Sequence, residues 1–274
     1  MESILKRDRV LVALSLAVLS ILSWIYLAIL AKGMAEGDMS LMGMGGMAPG
    51  AMGAMPANLT ANLTMTMTAW TPATVVLMTV MWWVMMAGMM IPSAGPMILL
   101  FAKVTRQQAK GESPGLRIVI FIAAYLIIWA GFSLLATLAQ WALTEAALLS
   151  PMMVGTSRVL TIGLLLACGI YQLTPLKQAC LGKCRSPLAF LMTKWQPGDF
   201  GALKMGLSHG AYCVGCCWLL MALLFVGGVM NLLWVAAIAV LVLAEKVLPH
   251  GDLVGRLGGI AMLVLAAYMI LLGG

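Results

Sequence analysis

The chain has 274 residues, of which 63% are hydrophobic and 9% are charged, and its mean hydropathy is +1.04. This composition excludes a soluble globular domain, a disordered chain and a coiled coil, because each of these needs more polar residues than the chain contains. The formal net charge of +7 does not indicate nucleic-acid binding, because the basic residues are scattered between apolar segments and form no patch interleaved with aromatic residues. The chain is therefore predicted to be an integral membrane protein in contact with lipid.

Seven segments are long and apolar enough to be transmembrane helices, since a helix needs about 20 residues to cross the hydrocarbon core of a bilayer. The predicted fold is all-α, a polytopic bundle of these seven helices. The apolar stretch of the first segment, from Val10 to Ala31, is too long for a cleaved signal peptide, so we interpret it as a retained anchor. The segments cover residues 9–31, 72–101, 117–143, 157–175, 202–227, 231–249 and 253–272.

The distribution of Lys and Arg predicts the orientation of the chain. Cytoplasmic segments retain basic residues, and 14 of the 16 in this chain agree with a cytoplasmic N-terminus and an outward C-terminus. Only Lys32 and Arg158 fall on the other side. We expect a multi-pass protein of the cell membrane, in a bacterial or archaeal inner membrane.

Residues 32–70 form a methionine-rich loop on the predicted extracytoplasmic side. Their methionines stand among Gly, Ala, Pro, Asn and Thr and follow no helical period. A thioether is a soft, neutral ligand that suits Cu(I). Since a loop has no interior gap for apolar side chains to fill, the pattern favours capture of a soft metal over packing. The methionines are Met34, Met39, Met42, Met44, Met47, Met52, Met55, Met65 and Met67.

The second predicted span repeats the methionine signal within the bilayer. Met81, Met85 and Met89 share one helical face, and we predict that they pass Cu(I) inward. Pro92 and Pro96, within this span, each remove a backbone donor and clash with the preceding turn. The helix is therefore expected to bend or break near Ser93 and to line a cavity.

Cysteine and histidine give the stronger signal. A C-x3-C pair lies in the predicted cytoplasmic loop, and a C-x2-C-C triplet follows a histidine by four residues in the fifth span. On an α-helix, this histidine and the triplet fall within an arc of about 100°, so one helix can present all four side chains to one ion. Disulfides are disfavoured, because the loop faces a reducing compartment and the triplet is buried in lipid, where polar groups are usually functional. The predicted ligands are Cys180, Cys184, His209, Cys213, Cys216 and Cys217.

The fifth span carries small residues that suit helix packing. Gly206, Gly210 and Gly215 permit close contact with another helix. The methionine face of the second span and the thiol face of the fifth lie at the same predicted depth. The sequence leaves open whether these two spans pack together.

Two adjacent charges end the sixth predicted span. Glu245 and Lys246 lie near its cytoplasmic end. We interpret them as an interfacial pair whose charged groups reach toward water, with a proton relay as the alternative.

Three segments in the central and C-terminal two-thirds of the chain carry a resemblance to a known family. They are WWVMMAGMMIPSAGP at Trp82–Pro96, YQLTPLKQACLGKCRSP at Tyr171–Pro187 and GLSHGAYCVGCC at Gly206–Cys217. In this order they resemble the predicted metal-binding integral membrane proteins of a domain of unknown function, some of which are associated with copper delivery to tyrosinase-type polyphenol oxidases. The resemblance implies metal binding and a copper-linked role for Cys180, Cys184, His209, Cys213 and Cys216.

We predict a membrane protein that handles Cu(I), either as a transporter or as a copper-delivery chaperone to a copper-dependent enzyme or another membrane subunit. The ion would move from methionine to cysteine and histidine ligands by exchange, and zinc is the alternative ion because it also accepts sulfur and nitrogen. No Walker-type phosphate loop is present, and no enzymatic activity is expected. The predicted domains are the N-terminus with the first anchor (1–31), the methionine-rich loop (32–70) and a six-helix metal-binding domain (71–274) with a cytoplasmic cysteine loop (176–200).

Two other functions would use the same region of the chain. In a membrane thiol-disulfide oxidoreductase, Cys180 and Cys184 would exchange disulfides with Cys213 and Cys216. Against this function, disulfide production belongs on the outer side, whereas these cysteines are predicted to be cytoplasmic or buried. In a non-catalytic subunit of a membrane copper oxygenase complex, the methionines would be ordinary packing residues.

Overall fold

The computed structural model describes residues 2–35, 70–108, 114–149, 153 and 155–272, and the regular elements within these ranges are all α-helices. The predicted all-α fold is therefore confirmed. Most of the methionine-rich loop, residues 36–69, lies outside the described residues, so its role stays a prediction. The helices are α1 (Glu2–Ala35), α2 (Pro72–Gln108), α3 (Pro114–Glu145), α4 (Arg158–Leu173), α5 (Pro175–Arg185), α6 (Pro187–Lys194), α7 (Gly198–Ala222), α8 (Leu224–Gly227), α9 (Leu232–Val247) and α10 (Gly251–Leu271).

Five stretches of helix in the described part of the chain are long and apolar enough to cross a membrane. They lie in α1, α2, α3, α7 with α8, and α10. The predicted spans at 157–175 and 231–249 correspond to α4 and α9, which have 16 residues each. Each is about 24 Å long, less than the roughly 30 Å of a hydrocarbon core. Helix α4 continues into α5 after a bend of 66°, and this pair counts as a sixth span at most.

Helix α2 runs unbroken through its two internal prolines, Pro92 and Pro96, so the expectation of a break near Ser93 is wrong. Pro92 has no N–H to donate to the carbonyl oxygen of Gly88, four residues earlier. The hydroxyl of Ser20, on α1, donates to that carbonyl oxygen instead, at 3.1 Å. A neighbouring helix thus replaces the lost hydrogen bond, and α2 does not need to open.

Helices α3 and α7 pack closely where α7 has glycines, so the helix that these glycines contact is α3. A Cβ at Gly206 would collide with the carbonyl oxygen of Phe121 and would lie 2.7 Å from the Cβ of Ala124. A Cβ at Gly210 would lie 2.9 Å from the Cβ of Ile128. This contact holds one face of α7 against the aromatic side chains of α3.

The segment predicted as a cytoplasmic loop, residues 176–200, is mostly helical and forms α5, α6 and the start of α7. Thr174 caps α5 by accepting a hydrogen bond from the backbone N–H of Lys177 at 3.3 Å, and Pro175 begins the helix. A Thr-Pro start and a second proline at 187 are helix N-terminal signals. The C-x3-C pair, Cys180 and Cys184, thus lies on a helix and is partly buried.

The end of α9 is buried, which corrects the interpretation of Glu245 and Lys246 as an interfacial pair. Their exposed fractions are 1% and 7%. The carboxylate of Glu245 accepts hydrogen bonds from Lys177 Nζ at 2.7 Å and from Gln172 Nε2 at 2.8 Å. This buried ion pair ties the bend between α4 and α5 to α9.

Candidate metal centre

Three of the predicted ligands gather on one turn of α7. Cys213, Cys216 and Cys217 are each 1% exposed. The thiols of Cys216 and Cys217 both donate to the carbonyl oxygen of Cys213, at 3.1 and 2.9 Å. The helical period of the C-x2-C-C sequence therefore places three sulfur atoms close together in the interior.

Helix α5 adds a fourth thiol to this group. The thiol of Cys184 lies close enough to those of Cys213 and Cys216 to interact with both. Cys180, one turn earlier on α5, instead lies against the backbone of Gly215, where its sulfur would be 3.1 Å from a Cβ. All six cysteines of the chain are free thiols. We use the name thiol cluster for Cys184, Cys213, Cys216 and Cys217.

The methionine that reaches the thiol cluster is Met90, which the sequence did not single out as a ligand. The thiol of Cys217 lies 3.9 Å from the sulfur of Met90. Met81, Met85 and Met89 are buried, at 2%, 1% and 2% exposed. With about 100° per residue, these three positions are rotated by about 180°, 140° and 100° from Met90 around α2. The face of α2 that meets the thiols is therefore the face of Met90. Met81, Met85 and Met89 lie on other sides of the helix.

A lysine that the sequence interpretation missed also lies in this region. Lys246 Nζ is 3.0 Å from the sulfur of Cys213, 3.2 Å from Ser93 Oγ and 3.9 Å from the sulfur of Met90. A buried ammonium group needs a compensating charge or strong hydrogen bonds. The sequence does offer a signal for Lys246, because it lies within a predicted membrane span. Ionisable residues in such spans usually have a function.

Two side chains of the α3–α7 contact complete the surroundings of Cys213. The hydroxyl of Tyr125 lies 3.2 Å from the sulfur of Cys213 and 3.4 Å from the carbonyl oxygen of Met90. His209 lies one helical turn before Cys213 and is 2% exposed. Its Nδ1 is buried and has no hydrogen-bond partner.

Aromatic rings surround His209. Its ring centroid is 5.7 Å from that of Tyr125, 6.2 Å from that of Phe121 and 5.7 Å from that of Phe190. An unpartnered imidazole nitrogen in apolar surroundings is costly, since most buried polar atoms are satisfied. His209 thus presents a buried imidazole nitrogen without a partner, one helical turn before Cys213.

The side chains of the thiol cluster are engaged in hydrogen bonds within the protein and are not arranged around an ion. Within the described ranges, no three His, Cys, Asp or Glu side chains are arranged as they would be around a metal ion. Two thiols are turned to the backbone of Cys213, and the ammonium group of Lys246 occupies the space beside its sulfur. Metal binding at these residues requires the side chains to rotate about their χ angles.

A comparison with known protein families identifies the chain. Residues 79–269 match the PpoB2 family, which is described as copper chaperones. The chain belongs to this copper chaperone family. The matched region contains the thiol cluster, His209, Met90 and Lys246. No curated protein and no solved structure matches the chain significantly.

Membership in this family confirms the resemblance drawn from the three sequence segments. It supports a copper-handling role with a copper-dependent target, and it favours a carrier over an enzyme. The long apolar helices are compatible with a multi-pass membrane protein.

Proposed function

We propose that this protein is a membrane copper chaperone that binds Cu(I) between Cys184, Cys213, Cys216 and Met90. The observation that carries the proposal is the meeting of thiols from α5 and α7 with a thioether from α2 in a buried region of a copper chaperone. Thiolates and thioethers are the soft ligands that select Cu(I). His209 and Cys217 stand beside these ligands as alternates during exchange.

The thioether distinguishes copper from zinc. Zinc accepts thiolates and imidazole, as Cu(I) does, but its protein sites rarely use a neutral thioether. Met90 is the one ligand of the proposed set that zinc does not favour. We therefore expect Cu(I) to be held in preference to Zn²⁺.

Lys246 offsets part of the charge of the loaded site. Three thiolates and one Cu(I) ion carry a net charge of −2, and the ammonium group of Lys246 beside Cys213 carries +1. An uncompensated charge in the interior costs several kcal/mol. Lys246 therefore halves the net charge of the loaded site.

Transfer proceeds by ligand exchange without a redox step. Each thiol that binds Cu(I) loses its proton and its hydrogen bond, and it regains both when the ion leaves. Thiolate binds copper more strongly than thioether, which favours movement of the ion from methionine to the thiol cluster. A copper-dependent enzyme then takes the ion by offering further ligands.

Copper analysis of purified protein tests the proposal. Under reducing conditions we expect one Cu(I) per chain, with sulfur neighbours in X-ray absorption, and loss of this copper in Cys213→Ser. Cys168→Ser is the matched control, because Cys168 is equally buried but lies on α4, outside the thiol cluster. Equal copper retention in the two variants would contradict the proposal. A copper-free protein that forms a Cys184–Cys213 disulfide would favour the thiol-disulfide oxidoreductase.

A further inference from the structure

Helix α7 carries a row of soft ligands along its whole length. The row consists of Met205, His209, Cys213, Cys217 and Met221, each four residues after the last. All five are buried, with exposed fractions of 2%, 2%, 1%, 1% and 0%. Residues four apart are neighbours on a helix surface, so successive members lie about 6 Å apart along α7. Two members of the thiol cluster, Cys213 and Cys217, lie in the middle of this row.

A cavity opens at the Met205 end of the row. Its volume is about 430 Å³, and it lies between the end of α2, the start of α3 and the segment that leads into α7. Phe101, Thr105, Trp195 and Met205 are among its lining residues. The hydroxyl oxygen of Thr105 is buried and has no hydrogen-bond partner. A polar atom left unsatisfied at a cavity wall is suited to a guest with a donor or acceptor.

Stacked aromatic rings connect the cavity to His209. The ring of Phe101 stacks on that of Phe121 at 4.3 Å, and Phe121 stacks on His209. His209 presents the unpartnered Nδ1 in this aromatic surrounding. An ion that leaves Met205 thus has a nitrogen ligand one turn further on and a thiol one turn beyond that.

We propose that this cavity is the port through which Cu(I) reaches and leaves the thiol cluster, with Met205 as the first ligand and His209 as the next. The inference rests on the proposed function. At the first step the bond from Cu(I) to the Met205 sulfur breaks as a bond to His209 forms. At the second step the Cys213 sulfur replaces the imidazole, and its proton leaves through the cavity. Copper stays monovalent throughout.

The rates at which the intact protein takes up and releases Cu(I) test whether the cavity is the port. Purified protein in lipid nanodiscs is loaded from the Cu(I)-glutathione complex and unloaded with a chromophoric Cu(I) chelator. We expect Met205→Leu to slow both loading and release about tenfold, while the copper affinity stays within about twofold of the wild-type value. Met221→Leu is the matched control, because it removes the same group from the opposite end of the same row, and it should exchange at the wild-type rate.

A second variant, Thr105→Phe, tests the port independently in case Met205→Leu does not fold. Thr105→Phe fills the cavity without removing a ligand, and it too should slow exchange while leaving copper content unchanged. Wild-type rates in both Met205→Leu and Thr105→Phe would overturn the port, and so would slower exchange in Met221→Leu than in Met205→Leu. If the wild-type protein itself holds no copper, the proposed function fails, which is a distinct result.

Discussion

The ammonium nitrogen of Lys246 lies 3.0 Å from the sulfur of Cys213. The two residues come from α9 and α7 and are 7% and 1% exposed. The other hydrogen-bond partners of this ammonium group are Ser93 and Met90 on α2, and neither bears a charge. The sulfur atoms of the thiol cluster are thus the groups that can balance the charge of Lys246.

Replacing Lys246 should weaken copper binding. In Lys246→Met, three thiolates with Cu(I) leave a net charge of −2 in the interior, and we expect the dissociation constant to rise at least about tenfold. Competition titration with a chromophoric Cu(I) chelator measures this. Lys204→Met, which removes an exposed lysine from α7, should bind as the wild-type protein does. Tighter binding by Lys246→Met would mean that the ammonium group competes with copper.

The two cysteines of α5 should differ in their effect on copper. Cys184 contacts Cys213 and Cys216, whereas Cys180 packs on Gly215. We expect Cys184→Ser to weaken Cu(I) binding at least about tenfold and Cys180→Ser to change it less than about threefold. The same chelator titration distinguishes them. Equal losses would show that the C-x3-C pair binds as a unit.

Met90 should matter more for copper than the methionines on the other faces of α2. Met90→Leu keeps the side-chain volume and removes the sulfur near Cys217, so stability should change by less than about 1.5 kcal/mol. We expect one sulfur neighbour fewer around copper in X-ray absorption. Met81→Leu, at a position equally buried but turned away, should leave the spectrum unchanged. If only Met81→Leu altered the X-ray absorption spectrum, the result would support the methionine ligands predicted from the sequence instead of Met90.

The buried ion pair of Lys177 and Glu245 should stabilise the fold strongly. Glu245→Gln leaves the fully buried ammonium of Lys177 without its charge partner, 2.7 Å away in the wild-type protein. We expect a loss of about 3 kcal/mol in the free energy of unfolding. Asp252→Asn breaks the half-exposed pair with Arg185 and should cost less than about 1 kcal/mol. Unfolding in detergent compares the two variants, and equal losses would contradict this ranking.

The contact between α3 and α7 should not tolerate a side chain at Gly206. A Cβ there meets the backbone of Phe121, which cannot move aside as a flexible side chain can, so Gly206→Ala should destabilise the protein by about 1–3 kcal/mol. Gly163→Ala on α4 is the control, because nothing lies within 4 Å of its added Cβ. Thermal unfolding should show a lower midpoint for Gly206→Ala only. An unchanged midpoint would mean that α3 and α7 separate readily.

Local periodicity made several features predictable. The apolar composition indicates membrane helices, and the 3.6-residue repeat places His209, Cys213 and Cys216 on one face of α7. The glycine positions indicate where another helix approaches. Each of these features depends on residues close together in the chain, so the sequence determines it without reference to the rest of the fold.

Contacts between helices depended on the tertiary structure. The rotation of α2 brings Met90, and not Met81, to the thiols, and the packing of α5 selects Cys184 over Cys180. The burial of Lys246 beside Cys213 follows from how α9 packs on α2 and α7. A helical period fixes which residues share a face, but only the packing of all the helices decides which partner that face meets. For this reason the sequence alone determined a bundle of apolar helices that carry soft side chains, and the fold decided which of those side chains meet.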